Sequence, residues 1–468
     1  MKKLIPQSIK NIYHLGQAIL ANVMYGFPTR KLKVIGITGT DGKTTTAQMV
    51  ARILEEAGKT VAMASTINFR INGVEEKNLS HFTTLSSFAA QKFAKRAVEA
   101  GCEYLILETS SHSLDQCRVW GIDYAIAVMT NVTREHLDYH KTMEKYRQAK
   151  AKLFRKAEVA IVNLDMINPE EYLDCRAENI YGYSLKISNF KFHPPRRTNQ
   201  FQNQKFKTIV AGSIELGINK SSFIIDGQEF KLNLIGDFNI ENALAAISVG
   251  MCENISLETC ARALEKITGV PGRMEYVAND RGLNILVDFA LTPDALGKLY
   301  TVLNKIKKPE ARIIAVFGAC GERDRGKRPI IGEIISRYAD FVIVTNDEPY
   351  HEDPKRIIDE VFAGVITSQN NTDSEIDKSP NFQFPISNFQ TISNDQISND
   401  KKNKVEGINC WRIMDRRQAI KKALEIARPN DLIAVTGMGA EESMVVGDEK
   451  IPWNDKQVIL EELTKLNG

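Results

Sequence analysis

Short apolar runs and stretches of helical periodicity alternate along most of the chain. Residues 33–38, Lys33-Val34-Ile35-Gly36-Ile37-Thr38, are β-branched and apolar, and residues 44–56 repeat apolar positions at helical spacing across a Gly-rich turn. Strand, turn and helix in that order predict parallel α/β structure. Further apolar runs at 61–64, 104–107, 125–129 and 159–162 are separated by helical or polar stretches, as parallel strands are. The pattern changes over 207–235, where 206–211, 213–216, 223–225 and 230–234 predict short antiparallel strands, followed by helices near 240–252 and 257–266. A second α/β series starts after Pro271-Gly272, with strands expected at 284–287, 313–317, 341–344, 411–413 and 432–435. Near the start, Ile9, Ile12, Gly16, Ile19, Leu20 and Val23 recur at helical spacing and predict an amphipathic helix over 7–25. Packing of that stripe against the protein is the expectation, and a membrane surface is its alternative.

Length and composition narrow this picture. The chain has 468 residues, more than one core fills. We divide it into a short N-terminal segment (1–32), a central domain (33–270) and a C-terminal domain (271–468). Lys and Arg number 61 against 58 Asp and Glu, a net charge of +3, so bulk electrostatics predicts no nucleic-acid partner and an anionic substrate must be caught locally. Gln7, Lys10, Asn11, His14 and Gln17 interrupt any signal-peptide core, and no run approaches a membrane span. Seven cysteines, never spaced as CxxC, suggest reduced thiols in a cytoplasm rather than a disulfide framework or thiolate zinc site. Residues 186–206 and 368–408 share the repeat Ile-Ser-Asn, and the second is rich in Asn, Ser, Gln and Asp. Both read as mobile surface insertions without a role in chemistry.

The chemistry concentrates at strand ends. Thr38-Gly39-Thr40-Asp41-Gly42-Lys43-Thr44-Thr45 lies between a strand and a helix, where backbone N–H groups, an ammonium and a helix N-terminus together hold phosphates. Thr44 is placed to offer its hydroxyl to magnesium. A strict Walker A pattern needs Gly at position 37, where this chain has Ile37. Glu108-Thr109-Ser110-Ser111-His112 follows the next apolar run and puts a carboxylate and hydroxyls at the carboxyl end of a strand, where open α/β sheets bind ligands. Two more histidines, His136 and His140, lie just beyond the run at 125–129. Taken alone, each histidine reads more often as a hydrogen-bonded structural residue than as a ligand, and their clustering after strand ends brings the two readings level; Lys145, Arg147, Lys150, Lys152, Arg155 and Lys156 read as a solvated basic helix face.

Taken together and in order, these motifs resemble the ATP-dependent Mur ligases. The resemblance covers about residues 33–468 and rests on 39–45, on 108–118, on 130–140, on Pro271-Gly272-Arg273-Met274-Glu275, on Asp288-Phe289-Ala290-Leu291-Thr292-Pro293-Asp294 and on Gly321 through Pro329. It implies a central P-loop ATPase domain, with a parallel sheet plus a small antiparallel sheet, followed by a C-terminal Rossmann-like α/β domain. It implies a cytoplasmic ligase of peptidoglycan biosynthesis that uses ATP and Mg2+. The acceptor is a UDP-muramoyl dipeptide whose terminal carboxylate is phosphorylated, and a free amino acid then displaces the phosphate. Carried over residue by residue, Gly39, Thr40, Asp41, Gly42, Lys43, Thr44 and Thr45 cradle the ATP phosphates. Asn131 lines the ATP site, Arg273 contacts nucleotide phosphate, and Asp288 contacts the ribose. Thr44, Glu108 and His136 bind metal, joined by Lys150, which matches a lysine that the family carbamoylates. Thr83, Thr84, Ser110, Gln116 and Arg118 bind the acceptor, and Arg323, Asp347, Glu348, Tyr350, Gly437 and Glu441 line the amino-acid pocket. Closure between the two α/β domains is implied to assemble the site.

The chain departs from the family pattern in places. A uridine-binding N-terminal domain is missing or reduced to 1–32, Glu135 stands where Asp usually precedes the metal histidine, and Leu291 stands where His is usual. Relatives that add diaminopimelate carry Asp-Asn-Pro-Arg and Gly-Lys-Gly-His-Glu, where this chain has Asp347-Glu348-Pro349-Tyr350 and Gly437-Met438-Gly439-Ala440-Glu441. Loss of the arginine, together with three acidic side chains, predicts a preference for L-lysine or L-ornithine. Two other readings stay open: an amide ligase with a different acceptor, Mur-like or folylpolyglutamate-synthetase-like, and a non-catalytic nucleotide-binding partner. Joint retention of Lys43, Glu108, His136 and Lys150 speaks against the last.

Overall fold

In the computed structural model, which describes residues 6–78, 83–173, 175–186, 205–217, 220–367 and 403–467, the first apolar runs become strands of one nine-stranded sheet. They are β1 (Lys33–Thr38), β2 (Val61–Ala64), β3 (Asn68–Ile71), β4 (Val74–Lys77), β5 (Tyr104–Glu108), β6 (Tyr124–Met129), β7 (Val159–Asn163), β8 (Asn179–Ser184) and β9 (Lys205–Val210). Their order is β4-β3-β2-β5-β1-β6-β7-β8-β9, parallel throughout except at β3, which runs antiparallel to both β2 and β4. Strand β1 thus sits between β5 and β6, with the chain departing to one side and returning to the other. That is the switch point at which parallel sheets open a crevice beyond their carboxyl ends.

Both faces of this sheet are covered, which is why its strands read as continuous apolar runs. The helices of this part of the chain are α1 (Gln7–Tyr25), α2 (Lys43–Glu56), α3 (Ser87–Glu99), α4 (Ser111–Asp115), α5 (Leu137–His140), α6 (Met143–Ala151), α7 (Glu170–Leu173), α8 (Asp237–Cys252) and α9 (Leu257–Glu265). Helices α2, α8 and α9 share one core with Phe223, Ile225, Phe230 and Leu232, which come from a three-stranded antiparallel sheet of β10 (Gly212–Leu216), β11 (Ser221–Ile225) and β12 (Gln228–Leu232). Phe93, Leu114, Tyr146 and Tyr172, from α3, α4, α6 and α7, bury the other face.

The chain divides into two compact units, Met1–Val270 and Pro271–Gly468. In the second, β13 (Glu275–Val277), β14 (Asn284–Asp288), β15 (Ile313–Phe317), β16 (Phe341–Thr345), β17 (Cys410–Ile413) and β18 (Leu432–Thr436) form a sheet in the order β13-β14-β18-β15-β16-β17. Only β13 is antiparallel. A separate hairpin joins β19 (Ser443–Val446) to β20 (Glu449–Pro452). Helices α10 (Pro293–Ile306), α11 (Lys327–Tyr338) and α12 (Pro354–Thr367) precede β17, and α13 (Arg416–Ile426) and α14 (Asp455–Asn467) pack over Ile285, Val287, Ile433 and Val435.

The mixed α/β class, the parallel sheets and the small antiparallel sheet agree with the expectation from sequence, and three local expectations do not. Residues 205–210 extend the large sheet as a parallel edge strand on β8 instead of joining the antiparallel group. Strand β8 escapes the apolar pattern because Asn179 and Gly182 interrupt it; Gly182 lies where a Cβ would meet the Leu164 side chain at 2.6 Å. Helix α1 forms over the expected residues, yet Ala18, Ala21 and Asn22 are its buried positions and the Ile9–Val23 stripe faces outward. Small side chains let this helix approach closely, and Asn22 Nδ2 donates to Trp120 O at 2.8 Å. Of the two expected insertions, 187–204 and 368–402 lie outside the described residues. Phe206 lies in β9, and Lys404 is buried with its ammonium donating to Ala339 O at 2.9 Å. All seven cysteines are free thiols. No helix among the described residues is long and apolar enough to cross a membrane.

Candidate active site

The turn from β1 into α2 is shaped by two glycines. Gly42 has φ +82°, and a Cβ there would lie 2.2 Å from Asn242 Oδ1; at Gly39 a Cβ would strike Thr130 Oγ1 at 1.8 Å. Neither position tolerates a side chain. The residues leaving β6 hold the turn. Thr130 Oγ1 donates to Asp41 O at 2.5 Å, Asp41 N donates to Asn131 Oδ1 at 2.9 Å, and Asn131 Nδ2 donates back to Asp41 O at 3.2 Å. Asn131, expected to line the nucleotide site, therefore acts on the loop backbone. Lys43 opens α2, its ammonium on Gly39 O at 3.0 Å and Thr40 O at 2.8 Å. The ammonium is thus folded over the turn whose N–H groups and helix end favour anions.

Beside this turn lies a buried carboxylate. Glu108, the last residue of β5, is paired in register with Ile37 of β1 and is 1% exposed. It accepts from Thr44 Oγ1 at 3.1 Å, Thr66 N at 2.8 Å and Thr66 Oγ1 at 2.9 Å. Thr84 Oγ1 donates to Glu108 O at 3.0 Å and contacts Ser110 Oγ at 3.1 Å, while Ser110 N donates to Thr84 Oγ1 at 2.8 Å. Arg118 Nη1 reaches Thr84 O at 3.4 Å. Three of the five residues expected to hold the acceptor, Thr84, Ser110 and Arg118, thus form a connected border to Glu108, and Thr83 precedes Thr84 in the chain. Gln116 lies nearby, at the C-cap of α4.

Lys150 departs most from the reading of its helix. It is fully buried, with Nζ donating to Gly39 O at 2.6 Å and resting 4.5 Å from the Tyr146 ring centroid. Burial, with the Lys43 charge beside it, holds this ammonium well below the usual lysine range. The histidines gather next to it. His112 and His136 meet edge to face at 4.6 Å between ring centroids, with His136 held at φ +57°, and His140 shares a 3.0 Å hydrogen bond with Ser111 Oγ. Burial pushes His140 down to about 4, so it is neutral and structural. Among the described residues no group of three or more His, Cys, Asp or Glu side chains could hold a metal ion unaided.

The second unit carries the remaining expected residues. Asp288 ends β14, and its carboxylate accepts from Met274 N and Ala290 N, both at 2.7 Å. It braces the loop in which Arg273 stacks on Phe289 at 4.5 Å. Gly272 passes so close to the loop after β18 that a Cβ would lie 2.0 Å from Ala440 N. At the ends of β16 and β18, Asp347 is buried against Gly437, whose added Cβ would meet Asp347 Oδ2 at 2.7 Å. Asp347 Oδ1 is buried with no hydrogen-bond partner. Tyr350 donates its hydroxyl to Glu348 Oε2 at 3.1 Å, and the exposed Arg323 lies 5.8 Å from its ring centroid. Glu441 follows at the turn after β18, its N–H on Met438 O.

Three residues that the sequence reading passed over take part. Thr66 gives Glu108 two of its hydrogen bonds, Tyr146 meets Thr40 Oγ1 at 3.0 Å, and Arg416 forms a fully buried pair with Asp455 at 2.7 Å close to Asp347. Only Thr66 carried a signal, as a hydroxyl just past the end of an apolar run.

Comparison with known proteins agrees with this arrangement. The Mur ligase middle domain family matches residues 37–250, and the family described as Mur ligase, glutamate ligase domain matches residues 272–378. A UDP-N-acetylmuramoyl-L-alanyl-D-glutamate--2,6-diaminopimelate ligase of Syntrophomonas wolfei is 34% identical over 453 residues, covering 95% of this chain and 81% of that protein. A UDP-N-acetylmuramyl-tripeptide synthetase of Roseiflexus is also 34% identical, over 94% of this chain and 80% of its own length. Among solved structures, a diaminopimelate ligase of the same description matches at 28% identity and TM-score 0.57, covering 93% of this chain and 79% of that one. A folylpolyglutamate synthase of Mycobacterium tuberculosis shares the fold at 16% identity and TM-score 0.65, covering 90% of this chain and 92% of that one.

Asp347 gives a pH signature. Burial pushes its carboxyl up from 3.8 to about 7, because the charged form loses its water. The folded state therefore binds this proton more tightly than the unfolded chain, so the stabilisation is complete below about pH 4 and is lost as pH rises through about 7. Asp347→Asn removes that loss. The stability of the variant relative to the parent, from urea midpoints, is expected to increase between pH 5 and 8, and a pH-independent difference contradicts the burial of an uncompensated carboxyl.

Proposed function

The chain belongs to the Mur ligase family, and from this premise we propose that it adds an amino acid to UDP-N-acetylmuramoyl-L-alanyl-D-glutamate in peptidoglycan biosynthesis, with ATP consumed through an acyl phosphate. The observation that carries the reading is the Lys43 turn lying hydrogen-bond distance from Lys150 on one side and Glu108 on the other. The difficulty of the reaction is charge, since a carboxylate must approach a triphosphate. The N–H groups of 39–43 and the Lys43 ammonium bind the phosphates. Thr84, Ser110 and Arg118 orient the acceptor so that its carboxylate oxygen attacks the γ-phosphorus and ADP leaves. An amine nitrogen then attacks the acyl carbon, and phosphate departs with that carboxylate oxygen. Residues 33–270 serve as the ATP-binding domain and 271–468 as the domain that supplies the amino acid.

Magnesium suits the donors present. A Thr hydroxyl beside a buried carboxylate at a phosphate loop is a hard-oxygen set that substrate phosphates complete. Thr44, Glu108, His136 and a carbamoylated Lys150 would hold it, and the ion supplies neutralisation of the charge that develops on the phosphoryl group. Lys150 supports this assignment by its depressed basicity, because the neutral amine is the form that carbon dioxide carbamoylates. A carbamate there places an anion beside the Lys43 ammonium, where a second cation is disfavoured. Dependence on ATP, together with seven free thiols, supports a cytoplasmic location.

The amino-acid pocket favours a side-chain ammonium. Tyr350 offers one neutral hydroxyl, already on Glu348, where an arginine would fork onto a distal carboxylate. Asp347 and Glu348 make the neighbourhood acidic, and the unpartnered Asp347 oxygen is available to an ammonium donor. Losing a charge-assisted pair to a buried carboxylate costs on the order of 2–5 kcal/mol.

Phosphate release in the presence of acceptor and amino acid tests the reading. Lys43→Ala and Glu108→Ala are each expected to lower turnover by more than about a hundredfold, and near-parental turnover in either overturns it. Lys150→Ala is expected to be inactive and partly restored by short carboxylic acids; full activity without them contradicts its role. For the parent, kcat/KM is expected to favour L-lysine or L-ornithine over meso-diaminopimelate, with Tyr350→Arg shifting preference toward the latter. A parent that prefers diaminopimelate refutes the pocket assignment.

A further inference from the structure

Two loops of the second unit lock each other in backbone conformations that are costly on their own. Glu322, in the loop after β15, has φ +53°, and Tyr350, in the loop after β16, has φ +50°. Both are non-glycine residues in the left-handed region, where Cβ crowds the backbone. Such residues persist only when their surroundings over-determine them. The loops meet at Gly321, whose N–H donates to Glu348 O at 2.7 Å and where a Cβ would lie 1.9 Å from Pro349 O. Tyr350 is held from its other side by the β19–β20 hairpin, its N–H on Val445 O at 3.3 Å and its O accepting from Gly447 N at 2.7 Å.

Glu352, which no sequence motif singled out, closes the contact on the Glu322 side. Its own N–H donates to Pro349 O at 3.1 Å, which anchors it on the second loop, and its Oε1 accepts from Glu322 N at 2.6 Å on the first. Its Oε2 accepts from Arg328 Nη1 at 3.0 Å, and Arg328 Nη2 donates to Cys320 O at 3.2 Å. The turn Cys320-Gly321-Glu322 is thus gripped at three consecutive residues, by Arg328, by Glu348 O and by Glu352. Arg328 is fully buried in the first turn of α11, and its hydrogen bond holds the Glu352 carboxyl below the usual carboxylate range, so both oxygens stay acceptors. The next residue is Arg323, with its guanidinium 5.8 Å from the Tyr350 ring centroid. Of the six residues read as lining the amino-acid pocket, Arg323 alone carries a positive charge. The substrate's carboxylate therefore falls to it, and the turn decides where its side chain starts.

Glu360 supplies the contrast. Its side chain is as exposed as that of Glu352, 25%, and it also pairs with Arg328, at 2.7 Å. Its other carboxylate partners are Arg325 and Arg356, side chains rather than the backbone of the turn.

We propose that Glu352 is a positioning residue for the amino-acid substrate: by holding Glu322 N directly and Cys320 O through Arg328, it aims the Arg323 guanidinium at the carboxylate of the incoming amino acid. This inference rests on the ligase reading above.

Steady-state kinetics, beside urea midpoints, test it with whichever of L-lysine, L-ornithine and meso-diaminopimelate the parent ligates fastest. Glu352→Gln fills the same space, but its amide has one acceptor oxygen for two donors and turns an NH2 toward the other. It is expected to raise KM for the amino acid about tenfold or more. KM for ATP and for the acceptor, and kcat at saturating amino acid, should stay within about threefold of the parent. Glu352→Asp keeps the charge but is too short to span Glu322 N and Arg328 together, and should raise the same KM. Glu360→Gln, which takes a carboxylate from the same arginine, should lower the urea midpoint yet leave the amino-acid KM within about twofold. An unchanged amino-acid KM in Glu352→Gln overturns the proposal. So does a rise shared by ATP and acceptor, or an equal rise in Glu360→Gln, since either reduces Glu352 to a support of the fold. A parent that ligates none of the three amino acids refutes the ligase reading itself, and this inference with it.

Discussion

Thr130 and Asn131, the first two residues beyond β6, fix the backbone of the Asp41 turn, and the arrangement around that turn depends on this. A phosphate-binding loop works only if its N–H groups point outward before the anion arrives, and an unsupported glycine turn would not keep them there. Here three hydrogen bonds tie Asp41 to the neighbouring strand's end, while Gly39 O accepts from both Lys43 and Lys150. One carbonyl thereby gathers two lysines from elements more than a hundred residues apart.

Two ammonium groups on one carbonyl are in electrostatic tension, and burial decides which gives way. Lys43 is half-buried at the start of α2, whereas Lys150 has no water and loses its proton more readily. Glu108 occupies the opposite situation, a buried carboxylate held by three donors, which keeps hydrogen-bonding partners around its charge. One crevice thus holds an ammonium, a buried carboxylate and a buried amine that gives up its proton readily.

Much of this was legible in the sequence because it is local. Strand, Gly-rich turn and Gly-Lys-Thr are contiguous, and Glu108 follows its apolar run directly. What escaped was decided by tertiary partners. The basic periodicity of 145–156 gives no sign that Lys150 turns inward among Gly39 and Tyr146, and resemblance alone singled it out. The stripe on α1 has the composition of a buried face, yet the protomer uses Ala18, Ala21 and Asn22, since close approach and an amide bond to Trp120 O outweigh bulk on that side. Strand β9 joined the wrong group because period-2 patterning does not specify a pairing partner. Arg416 and Asp455, at opposite ends of the second unit's last elements, leave no pattern at all until the fold brings them together.

The central claim is that this crevice drives transfer of the γ-phosphoryl group of ATP to the acceptor's carboxylate. The most direct measurement is the fate of oxygen-18 placed in the terminal carboxylate of UDP-N-acetylmuramoyl-L-alanyl-D-glutamate, followed by mass spectrometry of the phosphate released during ligation. An acyl phosphate requires the released phosphate to carry one labelled oxygen from the acceptor. Unlabelled phosphate, with both labelled oxygens remaining in the acceptor or product, would contradict the account.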